Sequence, residues 1–240
     1  MQAFKFRTND QLEFAFDVLF KNRLFCAPRD SLNDPMEGWY GMMPPTFMED
    51  ARAAQEKVEE FQQRLRICSL SDTVGEHLLW SYYGSGFKGL AIEVDIPEPT
   101  NYDPRVDQGL VRVKRVDCEH GARLGKLPYD DQQAAAYEAL ASKERQWGHL
   151  HEVRIIADKD ALDEGCYFQL SSKPKALYVG CRMSPTSKMA LGVICAALEI
   201  PFAHVTPQNV GVPSVVIGFD KQLKLAGKTI VLPDPSWVRA

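Results

Sequence analysis

Three stretches of this sequence bring together side chains that can do chemistry. SLNDPMEG, residues 31–38, sets Asn33, Asp34 and Glu37 within five positions. Such a polar loop can hold a ligand or order a site, and Asn and Asp ahead of proline also start turns by bonding their own backbone. LWSYYGSGFKG, residues 79–89, gathers Trp80, Tyr82, Tyr83 and Phe87 beside Lys88. On a helix, Trp80 and Tyr83 share a face. That face either packs into a core or forms a stacking wall for a planar ring, with Ser, Tyr or Lys reaching phosphate or ribose. WGHLHEVRII, residues 147–156, leads into a strand that sets Glu152 and Arg154 on one face. They read as a surface ion pair, or Glu152 is a carboxylate that stabilises developing positive charge or binds a hydroxyl. His149 and His151 are acid–base candidates or polar surface. Glu93, inside AIEVD, shares a face with Ala91 and Asp95 and falls on the surface or in a cleft.

Other signatures are missing or out of context. The chain has no GxxxxGK[ST] and no GxSxG. GSGFKG at 84–89 matches GxGxxG, but it follows a helix and leads into a strand. The dinucleotide fingerprint needs the reverse order, so this is a tight turn. HEVR is not HExxH, which excludes a zincin.

These residues need elements to position them. Residues 3–7 alternate as a strand. Asn9 or Asp10 then caps a helix carrying Leu12, Phe16, Leu19 and Phe20. The spacing predicts an amphipathic helix over 48–66, with Val58, Phe61 and Leu65 on one face. A strand at 67–70 precedes a short helix that starts at Asp72 or Thr73, and a strand covers 90–94. Further strands are predicted at 110–116, 153–156, 176–181, 201–206 and 214–219. A high-propensity helix is predicted over 130–146. Another starts at the Ser184 cap with Pro185 at its first position. Strand and turn fill 223–232. The order is mixed, so the fold class is α+β around an antiparallel or mixed central sheet with flanking helices. No linker divides the chain, and a single domain is the simpler expectation.

Composition narrows the function classes. The 240 residues carry 28 basic and 32 acidic side chains, a formal charge of −4. That argues against a protein that grips nucleic acid by bulk charge. No apolar run reaches the length of a membrane span and no signal core opens the chain, so a cytoplasmic protein is expected. Six cysteines include no CxxC pair and no zinc-finger spacing; they are expected as free, buried thiols, with no metal site.

Eight short motifs recur in one order: FKFR (4–7), NDPME (33–37), CSLS (68–71), LWSYY (79–83), KGLAIEVD (88–95), KERQW (143–147), EVR (152–154) and YVGCR (178–182). Together, over about residues 1–205, they resemble the bacterial domain-of-unknown-function family numbered 2971. One position departs from that pattern. The family carries E-x-E-x-R where this chain has Leu150, so one carboxylate of a dyad is missing.

The family's motif order is in turn similar to that of ADP-ribosyltransferase-like proteins. This implies a split-sheet variant of the α+β fold and NAD as the substrate of a glycosyl-transfer reaction. It implies Arg7 on the first strand against the NAD, then Ser69 or Ser71 with Tyr82 or Tyr83, then Glu152 as catalytic carboxylate. Tyr83 joins Glu152 in the catalytic set, and Asn33, Asp34, Ser69 and Trp80 join Arg7 in binding. Cleaving the nicotinamide–ribose bond develops oxocarbenium charge that a carboxylate stabilises, and an arginine pairs a diphosphate bidentately. Related proteins act in toxin–antitoxin and phage-defence systems on protein or nucleic-acid acceptors. On this view Glu152→Gln leaves the fold intact and removes NAD turnover.

Two other classes compete. A non-catalytic interaction module of a defence locus scatters Arg7, Asn33, Tyr83 and Glu152 over the surface, whereas the enzyme gathers them in one cleft. A metal-dependent hydrolase or nuclease brings at least three of Asp34, Glu37, Glu93 and Glu152 around a divalent ion.

Overall fold

A computed structural model of the chain describes residues 1–34, 36–40, 48–99, 111–118, 131–208 and 214–234. First come β1 (Gln2–Arg7), α1 (Leu12–Lys21), β2 (Arg23–Phe25) and β3 (Ala27–Pro28). They are followed by α2 (Met48–Arg64), β4 (Leu65–Ser71), α3 (His77–Tyr82) and β5 (Leu90–Asp95). Next are β6 (Val111–Arg115), α4 (Gln132–Leu140), β7 (Glu152–Asp158) and β8 (Tyr167–Gln169). The last are β9 (Ala176–Gly180), α5 (Pro185–Leu198), β10 (Phe202–Gln208), β11 (Ser214–Phe219), β12 (Gln222–Leu225) and β13 (Lys228–Val231). The fold is α+β, with helices flanking a mixed sheet.

The chain divides into two compact units built from separated segments. Unit 1 takes Met1–Leu24, Leu70–Ile96 and Leu170–Ala240, and unit 2 takes Phe25–Ser69 and Pro97–Gln169. The chain crosses the division inside β2 and β4 and just after β5 and β8, so no linker composition marks it.

In unit 1 the strands run in the order β11-β10-β9-β5-β1. β9 and β10 are parallel and the other neighbours antiparallel. α5 makes the return that a parallel pair requires. Its start follows the sequence: Ser184 Oγ accepts from Ser187 N at 3.0 Å and Pro185 opens the helix. The core packs Phe4, Trp80, Phe87, Ala91, Tyr178, Ala203 and Val205.

Two helix starts differ from the sequence expectation. α1 is preceded by Gln11 without a side-chain cap, rather than by Asn9 or Asp10. α3 is capped by Glu76, which accepts from Leu78 N at 3.3 Å. Thr73, one of the two predicted starters, takes part in turns instead: Ser71 Oγ accepts from Thr73 N and Thr73 Oγ1 from Gly75 N. Short hydroxyl side chains favour such local bonds over helix.

The GSGFKG segment is the tight turn expected, with positive φ at Ser85, Gly86 and Phe87. Its closing glycine is sterically required, since a Cβ on Gly89 would sit 2.3 Å from the Arg7 carbonyl oxygen. Glu93 lies on β5 between β1 and β9 and is only 2% exposed. Tyr178 Oη donates to it at 2.6 Å. Burial pushes its pKa up, against the Tyr178 bond.

Unit 2 carries strands β3, β4, β7 and β6 of the mixed sheet, in that order. Val58 of α2 and Tyr137 and Leu140 of α4 pack with Leu65, Ile67 and Ile156. α4 stops at Leu140, short of the helix predicted over 130–146. Backbone pairing with Asp117 redirects the chain there: Asp117 N donates to Ala141 O at 2.8 Å and Lys143 N to Asp117 O at 3.0 Å. A 3-10 turn, Arg145–Leu150, then leads into β7. Among the described residues, no helix is long and apolar enough to cross a membrane.

Candidate functional site

The richest chemistry lies in unit 2, where the loop after β3 meets the end of α4 and the start of β7. The loop folds as its Asx content predicts. Asp34 Oδ1 accepts from Met36 N at 2.9 Å, and Trp39 N donates to Met36 O at 3.0 Å. Gly38 has φ +69° and no room for a side chain, since a Cβ would meet Leu140 Cδ2 at 2.8 Å. The buried Gln62 ties the turn down by donating to Gly38 O at 2.9 Å and accepting from Arg29 Nη1 at 2.6 Å. The result turns Glu37 inward and leaves Trp39 64% exposed.

Glu37 enters a cluster of four buried charges. The Arg154 guanidinium is fully buried. It donates to both Glu37 oxygens at 2.7 Å, to Glu152 Oε1 at 2.7 Å and to Leu140 O at 2.6 Å. Lys143 Nζ closes the ring, 2.9 Å from Glu37 Oε1 and 2.7 Å from Glu152 Oε2. It also faces the Trp147 ring at 5.4 Å. Two cations balance two carboxylates, which is how a low-dielectric interior tolerates charge. Burial raises the pKa of Glu152, but the Arg154 and Lys143 charges outweigh it and hold the carboxyl at about 2. Burial lowers Lys143, yet the Glu152 and Glu37 carboxylates prevail over Arg154 and keep it above its ordinary value. The surface pair read in EVR is therefore an interior pair.

Beside this cluster is an open depression of about 100 Å³, lined by Asp34, Met36, Trp39, Tyr40, Ser142, Lys143 and Glu144. That size is below the usual range of enclosed small-molecule sites, as fits an open surface depression. Two aromatic rings, a thioether, a hydroxyl, two carboxylates and the Lys143 ammonium surround it. Tyr40 donates to Gln55 O at 3.3 Å, and burial with the Glu59 charge pushes its pKa up to about 12, so it stays neutral. Ser142 Oγ donates to Glu138 O at 2.8 Å, which leaves its lone pairs as acceptors.

The sequence-derived candidates divide between the units. Arg7, Trp80 and Tyr83 belong to unit 1; Asn33, Asp34, Ser69 and Glu152 belong to unit 2. Arg7 is half-buried at the end of β1, 5.1 Å from the Phe14 ring centroid. Trp80 is fully buried, with its indole N–H donating to Val74 O at 2.9 Å and its ring against Phe6 and Phe87. That places it in a core rather than on an open stacking wall. Tyr83 is half-buried at the end of α3. Asn33 is exposed, and Ser69 is half-buried on β4. Asp34 lines the depression, and Glu152 reaches it only through Lys143.

Lys143 carries the site, although the sequence shows it only as the first letter of a motif. Trp39, Tyr40, Ser142 and Glu144 have no signal in spacing. For the metal reading, Glu37 and Glu152 are engaged by Arg154 and Lys143, and Glu93 belongs to unit 1. Among the described residues, no three His, Cys, Asp or Glu side chains are grouped to hold an ion. No protein-family model, curated protein or solved structure matches the chain.

Proposed function

We propose that the chain is an enzyme of the 2971 family that cleaves NAD, or a related nucleotide, by ADP-ribosyltransferase-like chemistry in the unit 2 depression. The observation that carries this is the joining of two aromatic side chains, Trp39 and Tyr40, with two carboxylates, Asp34 and Glu144, around one opening. Aromatic faces suit a nicotinamide ring, and carboxylates suit ribose hydroxyls and the charge that develops on the sugar.

In this scheme the bond from the nicotinamide nitrogen to ribose C1′ breaks and the electron pair leaves with nicotinamide. The oxocarbenium carbon is captured by water or by an acceptor hydroxyl, amine or carboxylate, which gives up any proton it carries. Asp34 and Glu144 meet the developing charge. Glu152 is a positioning residue that fixes Lys143 in the wall. The acceptor class, protein or nucleic acid, and a role in toxin or phage-defence systems follow from the family resemblance.

The test is nicotinamide release from NAD by purified protein, with and without cell lysate. Release that the double variant Asp34→Asn/Glu144→Gln abolishes supports the enzyme. An NAD-induced rise in melting temperature without release supports an interaction module instead.

A further inference from the structure

We infer that Cys166 and Cys26 of unit 2 are a peroxide-reactive thiol pair: Cys166 is oxidised first, and Cys26 captures it in a disulfide. Neither residue lines the depression, so the pair stands apart from the NAD reading.

Three of the six cysteines stand in one row across neighbouring strands. β3 and β4 run antiparallel, with Ala27 opposite Ile67 and Pro28 opposite Arg66. Continuing that register by one residue sets Cys26 opposite Cys68. On its other side, Cys26 N donates to Cys166 O at 2.9 Å. The next pair along is Phe25 and Tyr167, with ring centroids 5.6 Å apart, so β2 and β8 also run in opposite directions. Residues paired by a backbone bond across antiparallel strands have Cα atoms about 5.5 Å apart. That lies within the range of about 4.4–6.8 Å that a disulfide spans. All three residues are thiols in this structure. Among the described residues no three His, Cys, Asp or Glu side chains are grouped to hold an ion, so the row offers redox chemistry rather than a metal cage.

Exposure sets the order of events. Cys26 and Cys68 are fully buried, whereas Cys166 is half-buried in the surface turn between Asp163 and Tyr167. Oxidation therefore enters at Cys166. Cys166 also has φ +65°, a left-handed conformation that strains cysteine and suits glycine. The turn alone would take glycine there; what cysteine adds is the thiol. Cys195 is the opposite case, buried with its thiol pushed up to about 12 by burial and so unreactive. In the reaction the Cys166 thiolate attacks a hydroperoxide, the O–O bond breaks, and Cys166 sulfenic acid and water result. The Cys26 sulfur then attacks the sulfenic sulfur. The S–S bond forms, and hydroxide leaves with the Cys26 proton as water. Two thiols are oxidised and one peroxide is reduced, and a dithiol reverses the step by exchange.

The experiment treats the full chain with a stoichiometric amount of hydrogen peroxide, with dimedone present to trap sulfenic acid. Remaining thiols are alkylated and the peptides mapped by mass spectrometry. Wild-type protein should yield a linked Cys26–Cys166 peptide that dithiothreitol releases, with little dimedone on Cys166. Cys26→Ala should strand Cys166 as sulfenic acid and raise its dimedone adduct about fivefold or more. Cys166→Gly fits the left-handed turn, so it should keep the fold and form no disulfide at Cys26. Failure to link Cys26 to Cys166 at a dose that oxidises the half-buried Cys118 or Cys181 overturns the inference. Equal dimedone adducts in wild type and Cys26→Ala overturn it too, as does a Cys26–Cys68 disulfide that forms equally well in Cys166→Gly.

Discussion

Arg154 and Glu37 meet through two parallel hydrogen bonds of 2.7 Å, although 117 positions separate them in the chain. The guanidinium is fully buried and the carboxylate nearly so. This fork-to-fork geometry ties the acidic loop to β7 and so fixes the wall that Lys143 presents to the depression.

Removing one partner of a buried pair strands the other. Glu37→Gln should destabilise unit 2 by about 3–5 kcal/mol, because Arg154 and Lys143 then share one carboxylate. Arg154→Met should cost a similar amount. Urea denaturation of the single and double variants checks this, and the double variant should lose clearly less than the sum of the singles. Strict additivity would show that the two side chains do not interact.

Acid should expose the same cluster through Glu152. A free glutamate titrates near 4.5, and Glu152 is held at about 2. A carboxylate held below its unfolded value contributes stability in full above that value and loses it as pH falls toward the folded value. The loss should therefore run from about pH 4.5 to about pH 2, with a size on the order of 3 kcal/mol. Lys143 has the opposite sign: its contribution is full below its unfolded value and fades as pH rises through the raised one. Denaturation followed across pH 2–6 should show the acid slope in the wild type and a flatter slope in Glu152→Gln. For the same reason Glu152→Gln should itself cost stability, so it does not isolate a catalytic role as the sequence alone suggests.

The four tryptophans include two that should behave oppositely. Trp80→Ala removes a fully buried ring and its bond to Val74 O, and should cost about 3–5 kcal/mol. Trp39→Ala removes a ring that is 64% exposed and should change stability by under about 0.5 kcal/mol while weakening ligand binding. Thermal melts with and without NAD separate the two effects.

Glycines of unit 1 make a similar contrast. A Cβ on Gly180 would fall 2.2 Å from the Phe87 carbonyl oxygen, where Arg182 N also donates. Backbone cannot yield as a side-chain tip can, so Gly180→Ala should destabilise by several times the effect of an ordinary surface change, on the order of 3 kcal/mol or more. Gly218→Ala has nothing within 4 Å and should be neutral or slightly stabilising. Comparable losses at both positions would contradict this packing.

Local chemistry made part of the structure legible. The Ser184–Pro185 helix start, the turn at Asp34 and the strand at Ser214–Phe219 all follow from residue type and period. The end of α4 did not, because the competing partner, Asp117, comes from another part of the chain. Glu93 alternates like a half-exposed strand residue, yet β5 has strands on both sides and Tyr178 to satisfy the carboxylate. In the site, Glu152 and Arg154 could be read as partners from their spacing of two. That Glu37 and Lys143 complete their cluster could not, since strand period carries no information about residues outside the strand, one of them more than a hundred positions away. The division into two units was equally hidden, because its crossings fall inside regular elements such as β4 or directly after them.

The central claim, that the depression lined by Trp39, Tyr40, Asp34 and Glu144 cleaves NAD, is tested most directly by nicotinamide release from NAD. Wild-type protein should release nicotinamide, and Asp34→Asn/Glu144→Gln should reduce that release by at least about a hundredfold with an unchanged melting temperature. No release, whether or not NAD shifts the melting temperature, or release that the double variant leaves intact, would contradict it.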